Sequence, residues 1–135
     1  MRGNIGCPCP SCNGKGKLHG RLKAILEAFE LDLGCEVVVT SGYRCATYNA
    51  QIGGVSRSRH QGDPGIKAAS RSVAREAFAV DFWPDDVEAS KPKWRKWYRK
   101  RHTFEARVRP WFHYCYINQS PEDNYRKWSV HGQLC

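Results

Sequence analysis

Two histidines and an aspartate sit where a small sheet could gather them. His60 follows the apolar run "EVVV" and the polar turn "TSGYRCATYNAQIGGVSRSRH"; Asp81 lies inside the run "AFAVDFWP"; His113 lies inside "PWFHYCYIN". If these three runs are strands of one sheet, the three side chains can point at a common spot. Two imidazoles and one carboxylate, with a fourth position left for water, form a catalytic zinc set. An ion so held polarises a carbonyl and lowers the pKa of its water. Spacing alone leaves other roles open: His60 as a polar loop residue, Asp81 as a cap or a partner for one of many arginines, His113 as a core histidine among aromatics.

The elements that would position these residues follow from periodicity. Leu18, Leu22, Ile25, Leu26, Phe29 and Leu33 recur at helical spacing with charged residues between them, which predicts an amphipathic helix. Gly34 is suited to end it. "CEVVVTS" is β-branched and short, as a buried strand would be. Tyr43–Ile52 reads as a short helix closed by Gly53-Gly54, and residues 56–75 read as a long polar loop. "AFAVDFWP" and "PWFHYCYIN" are the second and third strand candidates, with a basic helical segment, "KPKWRKWYRKRHTFEARVR", before the last of them. The tail "QSPEDNYRKWSVHGQLC" reads mostly as loop. Helix followed by strands separated by helices or loops points to an α+β fold.

With 135 residues and 41% hydrophobic content, the chain is expected to form one domain, 1–135, with one modest core. Residues 1–17 form a Gly-, Pro- and Cys-rich arm without periodicity. No apolar run approaches a membrane span, and the N-terminal segment lacks the apolar stretch of a secretory signal. Twenty-two Lys plus Arg against 13 Asp plus Glu leave a formal charge of +9. That field draws the protein to a polyanion, nucleic acid or an anionic cell wall. Seven cysteines are present, three of them in "CPCPSC". Cys7, Cys9 and Cys12 have the spacing of a zinc knuckle, but a closed structural site takes four ligands. His19 or Cys35 are candidates for the fourth, and plain reduced thiols are the alternative.

Ser41-Gly42-Tyr43-Arg44, Tyr48-Asn49, Gly53-Gly54-Val55 and Ser58-Arg59-His60 together closely resemble the zinc D-alanyl-D-alanine carboxypeptidase family. That family takes in the vancomycin-resistance dipeptidases, phage peptidoglycan endopeptidases and, by fold, the hedgehog signalling domain. Ala79-Val80-Asp81-Phe82 and Trp111-Phe112-His113 resemble its later motifs, and the Cys-rich arm and first helix are similar to those of small phage-type members. The resemblance implies a small antiparallel sheet flanked by helices, of hedgehog/DD-peptidase type. It implies Zn2+ held by His60, Asp81 and His113, with Arg44 steadying the substrate carbonyl or developing oxyanion. Ser58 would orient the loop presenting His60. The partner would be bacterial peptidoglycan, cut by an endolysin or D-Ala-D-Ala carboxypeptidase activity. Such a protein would be made in the cytoplasm without a signal peptide and act at the cell wall or in a virion. Trp94 and Trp97 are candidate sugar-stacking platforms, or core residues of an amphipathic helix.

Two departures from the family pattern stand out. The family's aspartate usually follows the first histidine closely, whereas here the gap is 81 − 60 = 21 residues. The intervening "QGDPGIKAASRSVAREAF" looks like an insertion, and Asp63 is a rival ligand within a turn-like Asp-Pro-Gly. Many members also carry an acid three residues before the last histidine; here Pro110 stands there. Glu105 is the candidate proton shuttle, with Glu76 as another option, since a base must reach the attacking water. A catalytically inactive wall-binding or virion module on the same fold is the alternative reading. A third is a nucleic-acid binder using the aromatic-laced basic segment.

Overall fold

Leu22, Leu26 and Phe29 turn one face of a 14-residue helix, α1 (Gly20–Leu33), into the core. His19 caps its start, its Nδ1 accepting the Arg21 N–H at 3.1 Å. Gly34 ends it in the left-handed region (φ 67°), donating its N–H to the Glu30 carbonyl, a conformation that suits a residue without a Cβ. The computed structural model describes residues 1–55, 57–62, 75–85, 101–119 and 128–134. Asp63, Trp94, Trp97 and most of the basic segment lie outside the described residues.

Seven strands are described: β1 (Arg2–Gly3), β2 (Lys17–Leu18), β3 (Glu36–Ser41), β4 (Glu76–Ala77), β5 (Ala79–Asp85), β6 (Tyr114–Gln119) and β7 (Trp128–Gln133). Two further helices are α2 (Ala46–Gln51) and α3 (Arg101–Val108), with short 3-10 turns at Arg59–Gln61 and Arg109–Trp111. The main sheet has the strand order β1-β3-β5-β7-β6, and β2 pairs with β4 in a second, two-stranded sheet. The fold is therefore α+β. The expectation of an antiparallel sheet holds for β3, β5, β7 and β6, but β1 joins β3 in parallel and β2 joins β4 in parallel. The main sheet is thus mixed, because the N-terminal arm runs alongside β3 instead of hanging free.

Alternation along the strands divides the sheet into two faces. Val39, Phe82, Val130 and Ile117 stand opposite one another across four strands. Phe82 packs against Phe29 of α1 (ring centroids 6.0 Å), Phe104 of α3 (6.0 Å) and Phe112 (5.8 Å). This is the face that helices cover. The tail expected to be loop in fact supplies β7, which lies between β5 and β6. Gly132 permits this: the Phe112 ring approaches to 2.6 Å of where its Cβ would stand. No helix among the described residues is long and apolar enough to cross a membrane.

Candidate metal centre

On β5, β7 and β6 a polar row stands one residue out of step with the core row, and a register shift between Val39 and Ser41 brings Ser41 into that row on β3. Ser41, Asp81, His131 and Tyr116 are successive cross-strand partners on β3, β5, β7 and β6. Asp81 and His131 therefore leave the face opposite Phe82 and Val130. His60 comes to the same place from the 3-10 turn at Arg59–Gln61. Ser58 Oγ accepts its N–H at 3.3 Å, its carbonyl takes the Arg44 N–H at 2.9 Å, and the Phe78 N–H holds the neighbouring Arg59 carbonyl at 2.8 Å.

His60, Asp81 and His131 are all buried, at 1%, 4% and 8% exposure, and their ligand-type atoms lie within 4.8 Å of one another. His60 Nδ1 lies 2.7 Å from the Gly42 carbonyl oxygen. A carbonyl can only accept, so this nitrogen carries the proton and Nε2 presents its lone pair. That lone pair is buried without a hydrogen-bond partner and faces Asp81 Oδ2 at 3.5 Å. Two acceptors facing each other in a buried site are the arrangement a cation between them would satisfy. His131 Nδ1 lies 2.8 Å from Asp81 Oδ1, while its Nε2 lies 3.0 Å from Gln133 Oε1. Burial opposes ionisation of Asp81, yet the adjoining imidazoles of His131 and His60 outweigh it and hold the carboxyl below the usual carboxylate range. An ionised carboxylate and two imidazoles, each with its second nitrogen held by an oxygen, are a donor set that fits a zinc ion.

Arg44 lies beside the cluster. Its Nε donates to Ser41 Oγ (2.9 Å), its Nη1 to Asn49 Oδ1 (3.2 Å) and its Nη2 to Asp81 Oδ2 (3.3 Å). Asn49, itself buried, also donates to the Val55 carbonyl at 2.8 Å. Gly54 packs so close to Asn49 that a Cβ there would sit 2.2 Å from Oδ1. The Tyr-Asn and Gly-Gly-Val motifs thus bolt the 53–55 loop to α2 and fix the guanidinium. Above the cluster opens a cavity of about 590 Å3 lined by Arg44, Arg57, Arg59, Tyr114, Tyr116 and His131, among others. Tyr116 stacks on the His131 ring at 4.7 Å.

Two expected site residues are not brought to this place. His113 lies one residue before β6, is exposed, and gives its N–H to the Gln133 carbonyl at 2.9 Å. Tyr114, Tyr116 and Asn118 are the residues that reach the cavity from this strand, so position 113 is out of step with that face. His131, in the tail expected to be loop, takes its place in the cluster. The signal was there: Trp128, Val130 and Gly132 alternate with Ser129, His131 and Gln133. Glu105 is buried on α3 and its carboxylate is engaged by Arg109, with Nε at 2.8 Å and Nη2 also bonded. Its neighbour Phe104 packs on Phe82 and Trp128, which places Glu105 on the helix-covered side of the sheet, away from the cavity. Glu76, the other option, lies near Lys17 and His19. Among the described residues lining the cavity, Asp81 is the one carboxylate.

Comparison with protein families matches residues 6–113 to peptidase M15, whose members are zinc-dependent metallopeptidases. No curated protein and no solved structure matches the chain. The match begins in the Cys-rich arm, takes in the Ser-Gly-Tyr-Arg strand end, His60 and Asp81, and stops short of His131. On its extent, the chain belongs to the peptidase M15 family.

Proposed function

We propose that this protein is a zinc-dependent peptidase that hydrolyses a peptide bond in bacterial peptidoglycan, with His60, Asp81 and His131 as the metal ligands. The observation that carries the reading is the buried, unpartnered Nε2 of His60 facing Asp81 and His131 at the floor of an open cavity. A zinc ion held there would supply a Lewis acid for the scissile carbonyl and for activating water. The chain's own residues supply the rest. A guanidinium has five N–H donors; the three bonds made by Arg44 leave others for a substrate oxygen, in a group whose position is already fixed. Arg57 and Arg59 add positive charge at the cavity wall, which favours the carboxylates of a peptidoglycan stem peptide. Tyr114 and Tyr116 offer half-exposed rings at the cavity wall. The reading carries with it the hedgehog/DD-peptidase form of the α+β fold and action at the cell wall or within a virion.

The test is a digest of purified sacculi followed by mass spectrometry of the muropeptides. New amino termini or shortened stems should appear, vanish on chelation and return with zinc. Lysis that persists unchanged after chelation overturns the proposal. So does wall binding with no new amino groups, which leaves the noncatalytic module in its place.

Gln133 provides a gentler check. It fixes the second nitrogen of His131, and loss of such a partner weakens a metal site by about 10–100-fold. Gln133→Ala is expected to lower zinc affinity by that factor in a competition titration with a chromophoric chelator. Unaltered affinity would remove Gln133 from this role.

A further inference from the structure

The arm carries a second cluster, remote in chemistry from the first. Sγ atoms of Cys7, Cys9, Cys12 and Cys45 lie within 4.8 Å of one another. Cys7 and Cys9 are buried, and Cys12 and Cys45 are partly so. His19 and Cys35, the fourth ligands suggested by the sequence, are not in it. His19 is occupied in capping α1, and Cys45, at the N-cap of α2, stands where the fourth sulfur is needed.

We infer that Cys7, Cys9, Cys12 and Cys45 hold a single structural zinc ion as a tetrahedral tetrathiolate. Cys9 Sγ and Cys45 Sγ are 3.7 Å apart. Thiolates on one zinc at about 2.3 Å, in tetrahedral array, stand roughly 3.8 Å from each other. A disulfide would need about 2.05 Å. All four sulfurs fall within reach of one ion, which suits a mononuclear site. The backbone is shaped for it. Residues 9–14 fold into a tight turn with Asn13 and Gly14 at positive φ (50° and 82°). Cys7 exchanges backbone bonds across the turn, its N–H to Lys15 at 2.9 Å and its carbonyl from Gly14 at 2.8 Å. The N–H of Cys12 points at Cys9 Sγ and that of Tyr48 at Cys45 Sγ, both at 3.4 Å, bonds that stabilise thiolate over thiol. Binding releases the thiol protons to solvent and leaves sulfur unoxidised.

The ion would staple the arm to the segment that carries the first site. Between the two clusters, the Gly42 N–H bonds the Asn4 carbonyl and the Tyr43 N–H the Ile5 carbonyl, both at 2.8 Å. A Cβ on Gly42 would sit 2.2 Å from Ile5 O. Gly42 is the residue whose carbonyl fixes the His60 tautomer, and Cys45 directly follows Arg44. The inference is independent of the peptidase reading: a wall-binding protein would carry the same staple.

The test counts metal in the whole chain, expressed with zinc and purified without chelator. A His60→Ala/His131→Ala double variant, stripped of the histidine site, is expected to retain one zinc per chain. Loaded with cobalt, it should show the near-ultraviolet sulfur-to-cobalt charge transfer that imidazole and carboxylate ligands do not give. Cys45→Ser should abolish that band, while Cys115→Ser, outside the cluster, should leave it. If the variants fold poorly, titration of the unaltered protein with a thiol-specific mercurial decides, since it should release one zinc. A metal-free double variant overturns the inference. So does iron in place of zinc, a cobalt form without charge transfer, no zinc release by the mercurial, or an intact mass lowered by disulfide formation.

Discussion

His131→Gln protein is expected to bind one zinc fewer per chain than the unaltered protein and to show no measurable muropeptide hydrolysis, while His113→Gln protein keeps both. The two histidines differ in their place in the sheet. His131 is the direct cross-strand partner of Asp81 and shares its buried row; His113 is exposed and outside the cluster. Glutamine keeps much of the imidazole's bulk and polarity, so β7 should still pair with β5 and β6. What is lost is the aromatic nitrogen facing the carboxylate. Leaving a buried carboxylate without its hydrogen-bond partner costs about 1–3 kcal/mol, so a fall in melting temperature is also expected for metal-stripped His131→Gln. Metal analysis, activity and circular dichroism on the two variants give the answer. Should His113→Gln lose the zinc and His131→Gln retain it, the cluster described here is not the metal site.

The contrast between these two histidines shows what could be read from the chain and what could not. His60 and Asp81 are legible because local chemistry surrounds them: a Ser-x-His turn in one case, an Ala-Val-Asp-Phe strand in the other. Arg44 was legible for the same reason. α1 was legible because its apolar stripe is long and its terminating glycine conspicuous. β7 was only faintly legible: "WSVHGQ" alternates, but one of its faces is polar and a glycine interrupts the other. That glycine makes room for Phe112, a tertiary fact that no local pattern carries. Nor could the identity of the fourth sulfur be read. Cys45 is 33 positions from Cys12 (45 − 12), and only the pairing of the arm along β3 brings them together. Glu105 failed through alternation: the sheet places α3 on one face and the polar row on the other.

Arg44 ties these parts together, and its substitution should have the second large effect. Arg44→Ala is expected to lower kcat by about 10²–10³-fold, the usual cost of losing a fixed donor to the developing oxyanion, with zinc still bound at the histidine site. Arg44→Lys should recover only a small part. A lysine ammonium is a point charge and cannot bridge Ser41 Oγ, Asn49 Oδ1 and Asp81 Oδ2 at once, as the planar fork does. The bridge also has a positioning component. Asn49 holds the Val55 carbonyl, so truncating Arg44 loosens the loop that carries Arg57 as well as removing a donor. The two components separate in the kinetics. Loss of the donor lowers kcat at constant KM, whereas a loosened loop raises KM. Metal content reports on the third possibility, that Asp81 leaves the cluster without its guanidinium neighbour. If Arg44→Ala retains near-normal kcat with zinc bound, the guanidinium is a structural brace only, and oxyanion stabilisation must be sought elsewhere in the cavity.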